Sequence, residues 1–149
     1  MKKALHVASA GAVTSATAPQ WRVDLRAGAH RIVADEPVAN GGGDAGPSPF
    51  GLLLSGLAAC TATTLRMYAE RKGWTLAAIE VDVRYDIADD GQASITRTIT
   101  VPPELPSDHR DRLAGIAEHT PVTVAVRAGT PITTTLRAND AAATPPSRA

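Results

Sequence analysis

Residues 49–65, PFGLLLSGLAACTATTL, decide the fold. This is the most apolar run of the chain, and it is too long for a single strand. Ser48 before it is a candidate N-cap, Pro49 suits the first helical position, and Gly73 is a stop signal beyond it. We therefore predict one helix from Pro49 to Arg71 or Lys72.

The two halves of this predicted helix differ in polarity. Every residue from Phe50 to Ala62 is apolar or small, whereas Arg66, Glu70 and Arg71 bring charge to the end. A helix that is apolar on all sides is expected to be buried on all sides. The apolar part falls short of the roughly 20 residues needed to cross a bilayer. We therefore predict a helix in a protein core, with Cys60 inside it and no membrane partner.

The composition limits the classes of function. The length of 149 residues fits one domain, and 15 basic residues balance 15 acidic ones without any basic run. This balance argues against binding to nucleic acid or to an acidic membrane surface. Aromatic residues make up only 3%, and a core built from aliphatic side chains favours completion in an oligomer.

The N-terminus and the single cysteine bear on the compartment. One cysteine cannot form an internal disulfide, which favours a reducing environment. Lys2 and Lys3 precede a weakly apolar stretch that His6, Ser9 and Gly11 interrupt, so it does not fit a signal peptide. We expect a cytoplasmic protein.

Alternating apolar and polar residues predict strands on both sides of the helix. A strand over 20–26 and another over 30–34 form one predicted hairpin, and strands over 79–87 and 93–101 form a second. The other predicted elements are a short strand over 4–8, a helix over 108–118 capped by Ser107, a segment over 122–126 after Pro121, and a strand over 132–136. The prediction is an α+β fold with antiparallel strands wrapped around a long buried helix, in a single domain over 1–137 with a solvated, disordered tail over 138–149.

A glycine-rich loop over 35–47 leads into the long helix. Such a loop could hold a phosphate at the helix N-terminus, but it lacks the Lys-Ser/Thr ending of a P-loop and the GxGxxG spacing of a dinucleotide site. A plain flexible connector is the preferred interpretation.

Cys60 is the first candidate for chemistry. A buried cysteine in such a helix is more often a small hydrophobic residue than a reactive one. Reactivity would need a nearby cation or helix N-terminus to stabilise the thiolate, and in mid-helix that partner must come from elsewhere. His119 is the second candidate, although by itself it is typical of a helix C-terminus.

Metal and cofactor sites are not predicted. The histidines at 6, 30, 109 and 119 are scattered without ligand spacing, and one cysteine does not complete a zinc set. The sequence has no G-x-S-x-G elbow and no convincing serine triad.

Several motifs resemble the OsmC/Ohr family, in particular its small stand-alone members. They are GPSP at 46–49, LLL at 52–54, ACTATTLRMYA at 59–69, RKGW at 71–74, and His30 together with DEPV at 35–38. The similarity covers the chain from about Val23 to Leu136. It implies an intertwined homodimer in which sheets enclose two long central helices and active sites lie at the dimer interface. It also implies, for many members, thiol-dependent reduction of organic hydroperoxides in oxidative stress defence.

In the peroxidases of this family, a cysteine on the central helix attacks the peroxide and a second cysteine condenses with the resulting sulfenic acid. Cys60 matches the first cysteine. Thr120 occupies the second position, followed by Pro121 and preceded by His119, and a hydroxyl cannot resolve a sulfenic acid.

A second departure lies near the start of the helix. The peroxidases have a Glu there that anchors a catalytic Arg, and this chain has Phe50 and Gly51 in that region. Arg22, Arg26 and Arg31 are candidates for the Arg, and the sequence does not choose among them.

Two functions are therefore expected as alternatives. The first is weak or degenerate hydroperoxide reduction at Cys60, with an external thiol as the reductant. The second is a non-catalytic dimeric module that binds a small apolar ligand in the interface pocket. A purely structural dimer is a third possibility.

Overall fold

The computed structural model describes residues 5–18 and 21–138. Its elements are β1 (Ala10–Val13), β2 (Val23–Ala27), β3 (His30–Ala34), a single 3-10 turn (Val38–Asn40), α1 (Pro49–Arg71), β4 (Glu80–Ile87), β5 (Ala93–Thr100), α2 (Ser107–Ala117) and α3 (Pro121–Ala128). The strands form two antiparallel sheets, β1-β2-β3 and β4-β5. The predicted α+β class is confirmed.

The boundaries of α1 follow the local signals in the sequence. Pro49 is the first helical residue, and the Ser48 hydroxyl accepts a hydrogen bond from the Gly51 N–H. At the other end Gly73 has a φ of +71°, a backbone conformation that favours glycine. The amide of Trp74 then donates to the Ala69 carbonyl and closes the helix.

One side of α1 packs into the core. Its buried residues include Leu57, Thr61 and Leu65, and α1 contacts β4, α2 and α3. From α2, Leu113 and Ala117 complete the packing at 2% exposure each. These two residues form the buried face of the predicted second helix.

The other sides of α1 are open in the single chain. Leu53 and Met67 are 43% and 64% exposed, so burial on all sides is not found. The charged residues are confined to the C-terminal end, and an 18-residue window of α1 has a mean hydropathy of 1.3. By length and composition the helix could therefore span a membrane, which corrects the expectation that its apolar part is too short. Its contacts with β4, α2 and α3 are nevertheless those of a core helix.

Both predicted hairpins are confirmed. Leu25 pairs with Ile32 across β2 and β3, and Gly28 makes the turn at a φ of +57°. Val83 pairs with Arg97 across β4 and β5, where Gly91 has a φ of +82°.

Two predicted strands are wrong. Residues 5–8 are not in a strand, and β1 instead begins at Ala10 and pairs with β2. Residues 131–138 have no regular structure, and Ile132 and Leu136 are 90% and 97% exposed. A strand needs a neighbouring backbone to pair with, and the residues described here offer none to this segment. The predicted tail lies outside the described residues from 139 onward.

The predicted starts of the last two helices also need correction. Ser107 is the first residue of α2 and not its cap, because Pro106 holds the N-cap position without a side-chain hydrogen bond. The predicted segment over 122–126 is the interior of α3.

Candidate functional site

Cys60 lies at the edge of the packed side of α1. Leu57 and Thr61 are buried on that side, whereas Cys60 is half-buried. Its helical neighbours Gly56 and Thr63 are exposed. Successive residues turn by about 100° around a helix, so the residue before Thr61 faces the border between the core and the open side. The prediction that Cys60 lies inside the core is thus met only in part.

Arg97 of β5 reaches the residue that follows Cys60. Alternation along β5 places it on the inward face with Ile95 and Ile99, and its side chain is only 11% exposed. From Nη1 it donates hydrogen bonds of 3.0 Å to Oγ1 of Thr61 and 2.8 Å to Oγ1 of Thr123. One nitrogen therefore joins α1 to α3.

The other terminal nitrogen of Arg97 holds the end of α2. Nη2 donates to the carbonyl of Ala117 at 2.9 Å and to Oε1 of Glu118 at 3.1 Å. Glu118 also accepts from Arg127. The hydrogen bond from Arg127, followed by the positive charges of Arg127 and Arg97, lowers the pKa of the Glu118 carboxyl.

Thr120 is fully buried and lies within the same network. Its Oγ1 is 2.7 Å from Oγ1 of Thr123, which accepts from Arg97. Thr61 in turn donates to the Leu57 carbonyl at 2.8 Å. The hydroxyl in the second-cysteine position is therefore a satisfied hydrogen-bonding group. Hydrogen bonds connect it, through Thr123 and Arg97, to the residue beside Cys60.

His119 and Pro121, the two candidates that flank Thr120, are exposed. His119 Nδ1 lies 3.1 Å from the Gly115 carbonyl, as a residue that closes a helix would. Pro121 is the first residue of α3. The structure therefore brings Thr120 into the buried network and leaves its two neighbours on the surface.

A cavity of about 570 Å³ lies beside the Arg97 network. Its wall combines apolar side chains with the charged groups of the network. It is formed by Leu57, Tyr85, Ala93, Ser94, Ile95, Arg97, Glu118, Thr123, Val126 and Arg127. Cys60 is not among these residues. The volume falls in the range of small-molecule sites.

The loop over 35–47 is organised by a carboxylate that sequence reasoning missed. Asp35 is 2% exposed and accepts backbone hydrogen bonds from Glu36, Gly43 and Ala45 at 2.9, 3.0 and 3.1 Å. The bond from Ala45 contributes most to lowering the pKa of Asp35. A Cβ at Gly42 would lie 1.9 Å from the Glu36 carbonyl oxygen, so glycine is required there. The loop is therefore not a plain flexible connector.

Arg97 was also missed by sequence reasoning. The candidates were Arg22, Arg26 and Arg31, of which Arg22 pairs with Asp24 at 3.4 Å. The available signal was an arginine at an apolar position of the alternating strand, between Ile95 and Ile99.

Solved structures share this fold. An osmotic stress induced and detoxification response protein from Psychrobacter arcticus has 22% identity and a TM-score of 0.66 over 83% of this chain and 89% of that one. The organic hydroperoxide resistance protein OsmC from Legionella pneumophila has 20% identity and a TM-score of 0.60 over 84% and 92%. OhrB of Bacillus subtilis has 24% identity and a TM-score of 0.57 over 85% and 94%.

At these identities the likeness to solved structures establishes the fold. A search of the curated proteins found no match to the chain. The model of the OsmC-like protein family matches residues 41–135, which include α1 with Cys60, Arg97 and Thr120. The chain therefore belongs to the OsmC-like protein family.

Proposed function

We propose that this protein reduces organic hydroperoxides at Cys60 with the help of an external thiol, as part of oxidative stress defence. One observation carries the proposal: the Cys60 sulfur is in a half-buried residue at the edge of the core, while the second-cysteine position is a fully buried Thr120. Family membership supports it. So do the solved neighbours from Legionella pneumophila and Bacillus subtilis, which are described as organic hydroperoxide resistance proteins.

The reaction uses the Cys60 thiolate as the nucleophile. It attacks one peroxide oxygen, so an S–O bond forms and the O–O bond breaks. The electron pair leaves on the alkoxide, which takes a proton and becomes the alcohol. The resulting sulfenic acid is attacked by an external thiol, which releases water and forms a mixed disulfide. A further external thiol restores Cys60 and leaves as a disulfide.

Turnover is expected to be slow for two reasons. Thr120 has no sulfur, so every cycle waits for an external thiol to collide with Cys60. Arg97 bonds to the residue beside Cys60, and its two terminal nitrogens already donate hydrogen bonds to Thr61, Thr123, Ala117 and Glu118. Little of its hydrogen-bonding capacity is left to stabilise a thiolate or a leaving alkoxide.

We further propose that a second copy of the chain covers the open side of α1. Leu53 and Met67 expose apolar area on this side, which Cys60 borders, and an apolar surface of this kind is typical of an interface. Leu53→Glu should convert a dimer to a monomer in size-exclusion chromatography with light scattering. Ala114→Glu on the exposed side of α2 should remain dimeric, and a monomeric unsubstituted protein would contradict the proposal.

The rate of cumene hydroperoxide consumption tests the enzymatic proposal. It is measured with dithiothreitol as the reductant, for the unsubstituted protein and for Cys60→Ser. The expected rate rises in proportion to dithiothreitol and disappears in the variant. Equal rates for the two proteins, with matching circular dichroism spectra, would overturn the proposal.

The cavity of about 570 Å³ favours a second candidate function, the non-catalytic binding of a small apolar ligand in the cytoplasm. Leu57, Tyr85 and Val126 supply its apolar wall, and Cys60 does not line it. This candidate predicts that Cys60→Ser retains full affinity for an apolar fluorescent probe such as anilinonaphthalene sulfonate. Absence of binding to both proteins would eliminate it.

A further inference from the structure

A cluster of aromatic rings lies at the C-terminal end of α1, away from Cys60. The Trp74 indole stacks on the His109 imidazole, with ring centres 3.7 Å apart and an angle of 12° between planes. Tyr68 meets Trp74 edge-on at 5.6 Å. A shallow cavity of about 350 Å³, open to solvent, lies beside these rings and is lined by Tyr68, Lys72, Trp74, Asp108, His109 and Arg112. Tyr68 is about 12 Å along the helix axis from Cys60, so this cavity is separate from the Cys60 site.

Three cations surround Tyr68. Arg112 donates from Nε to the phenol oxygen at 3.0 Å, and the charged groups of Arg71 and Lys72 lie 5.7 and 5.8 Å from the ring centre. Within residues 5–18 and 21–138, none of these three cations forms an ion pair with a carboxylate. In contrast, Arg84 and Arg97 each do. The hydrogen bond from Arg112, followed by the charges of Arg112, Lys72 and Arg71, lowers the pKa of Tyr68.

Several donors of this cluster have no acceptor among the residues that the structure describes. The Tyr68 oxygen accepts from Arg112, which leaves its own O–H free to donate, and that O–H has no acceptor in the part of the chain that the structure describes. Arg112 and Lys72 are exposed, and the terminal nitrogens of Arg112 and the Lys72 ammonium make no hydrogen bond to the described residues. Among the described residues, Asp108 is the one carboxylate that lines the cavity; its side chain is 80% exposed and lies 4.0 Å from His109.

We propose that this cavity binds a phosphoryl group, either inorganic phosphate or a phosphate monoester, through Arg112, Lys72 and the Tyr68 hydroxyl. A compact anion with several acceptor oxygens matches donors from α1, its C-cap and α2 that line one cavity and have no carboxylate partner among the described residues. The planar guanidinium of Arg112 can hold the phenol with one nitrogen and a phosphoryl oxygen with another. The volume leaves space for a small organic substituent on the phosphate.

Tryptophan fluorescence of Trp74 reports occupancy in a Trp21→Phe background, because Trp21 is 54% exposed and would add an unrelated signal. Inorganic phosphate and phenyl phosphate are titrated at constant ionic strength, maintained with sodium chloride. A saturable change is expected for at least one of them. Tighter binding of phenyl phosphate assigns the site to a monoester, and equal binding assigns it to free phosphate. The absence of a saturable change with both overturns the proposal.

Substitutions that remove either a positive or a negative charge from the cavity wall make the test specific. Arg112→Gln and Lys72→Gln should each weaken binding about tenfold. Asp108→Asn should strengthen it, because the variant loses a negative charge on the cavity wall. Arg66→Gln, on the same helix, is the matched control, because Arg66 is paired with Glu70 at 2.9 Å. If Arg66→Gln weakens phosphate binding as much as Lys72→Gln does, the weakening reflects the net charge of the protein and not this cavity, and the proposal fails. Lys72 is exposed, so its variant keeps the test valid if Arg112→Gln does not fold.

Discussion

Arg97 donates a hydrogen bond of 3.0 Å to the hydroxyl of Thr61, the residue that follows Cys60. The same nitrogen donates to Thr123, whose hydroxyl lies 2.7 Å from that of Thr120. A single guanidinium therefore fixes the candidate nucleophile's helix and the second-cysteine position relative to each other.

Replacing Arg97 by Gln should destabilise the protein by about 2 kcal/mol, because buried Thr123 and Ala117 lose their donor. Urea unfolding monitored by circular dichroism measures this. Arg84→Gln is the matched control on the neighbouring strand, where the ion pair with Asp86 is exposed and should contribute less than about 1 kcal/mol. Equal losses for the two variants would mean that the network contributes no more than a surface ion pair.

A cysteine introduced at position 120 should allow the Cys60 sulfenic acid to be converted to a disulfide within the chain. Thr120→Cys is expected to form an intramolecular disulfide with Cys60 after peroxide treatment, seen by mass spectrometry as the loss of two hydrogen atoms and a linked peptide pair. Thr130→Cys, beyond the end of α3, should not form this link. If Thr120→Cys yields only free or overoxidised thiols, positions 60 and 120 do not come into contact.

Acid should loosen the end of α2 through Glu118. Its pKa in the unfolded chain is about 4.5 and is lower in the folded protein, so its contribution to stability is complete above that value and is lost as the pH falls through the folded pKa. Urea midpoints measured from neutral pH downward should fall less steeply for Glu118→Gln. Arg127→Gln should reduce the same slope, because it removes the main cause of the shift; an unchanged slope in both variants would rule out this role of the pair.

Asp35→Asn should open the loop that leads into α1, because the amide group replaces a charged acceptor of three backbone hydrogen bonds with a weaker one. Hydrogen exchange at the Gly43 and Ala45 amides should become faster, and the melting temperature should fall. Asp44→Asn in the same loop is the control, since Asp44 is exposed and Asn tolerates its φ of +53°. Unchanged exchange at both amides in Asp35→Asn would contradict the proposed role.

The elements that were predicted correctly depend on local signals. Ser48, Pro49 and Gly73 define α1 within a few residues of each end, and strict alternation defines β4 and β5. The predictions that failed depend on distant partners. The segment over 132–136 has the composition of a strand, but strand formation requires a second backbone that the described chain does not supply.

The site was predicted only in part for the same reason. Cys60 and Thr120 could be found from motifs, but the link between them runs through Arg97, which is distant in sequence from both. The buried role of Asp35 depends on backbone amides eight and ten residues later, which no side-chain pattern reports. Burial around α1 could not be read from its composition, because a helix that is apolar on all sides does not reveal which sides its own chain covers.

The most direct test of the central proposal is to trap the Cys60 sulfenic acid. The protein is mixed with one equivalent of cumene hydroperoxide in the presence of dimedone and without added thiol, and intact mass and peptide mapping follow. We predict a single dimedone adduct on Cys60, absent in Cys60→Ser, because Thr120 cannot consume the sulfenic acid first. An unmodified Cys60 thiol after peroxide treatment would contradict the account.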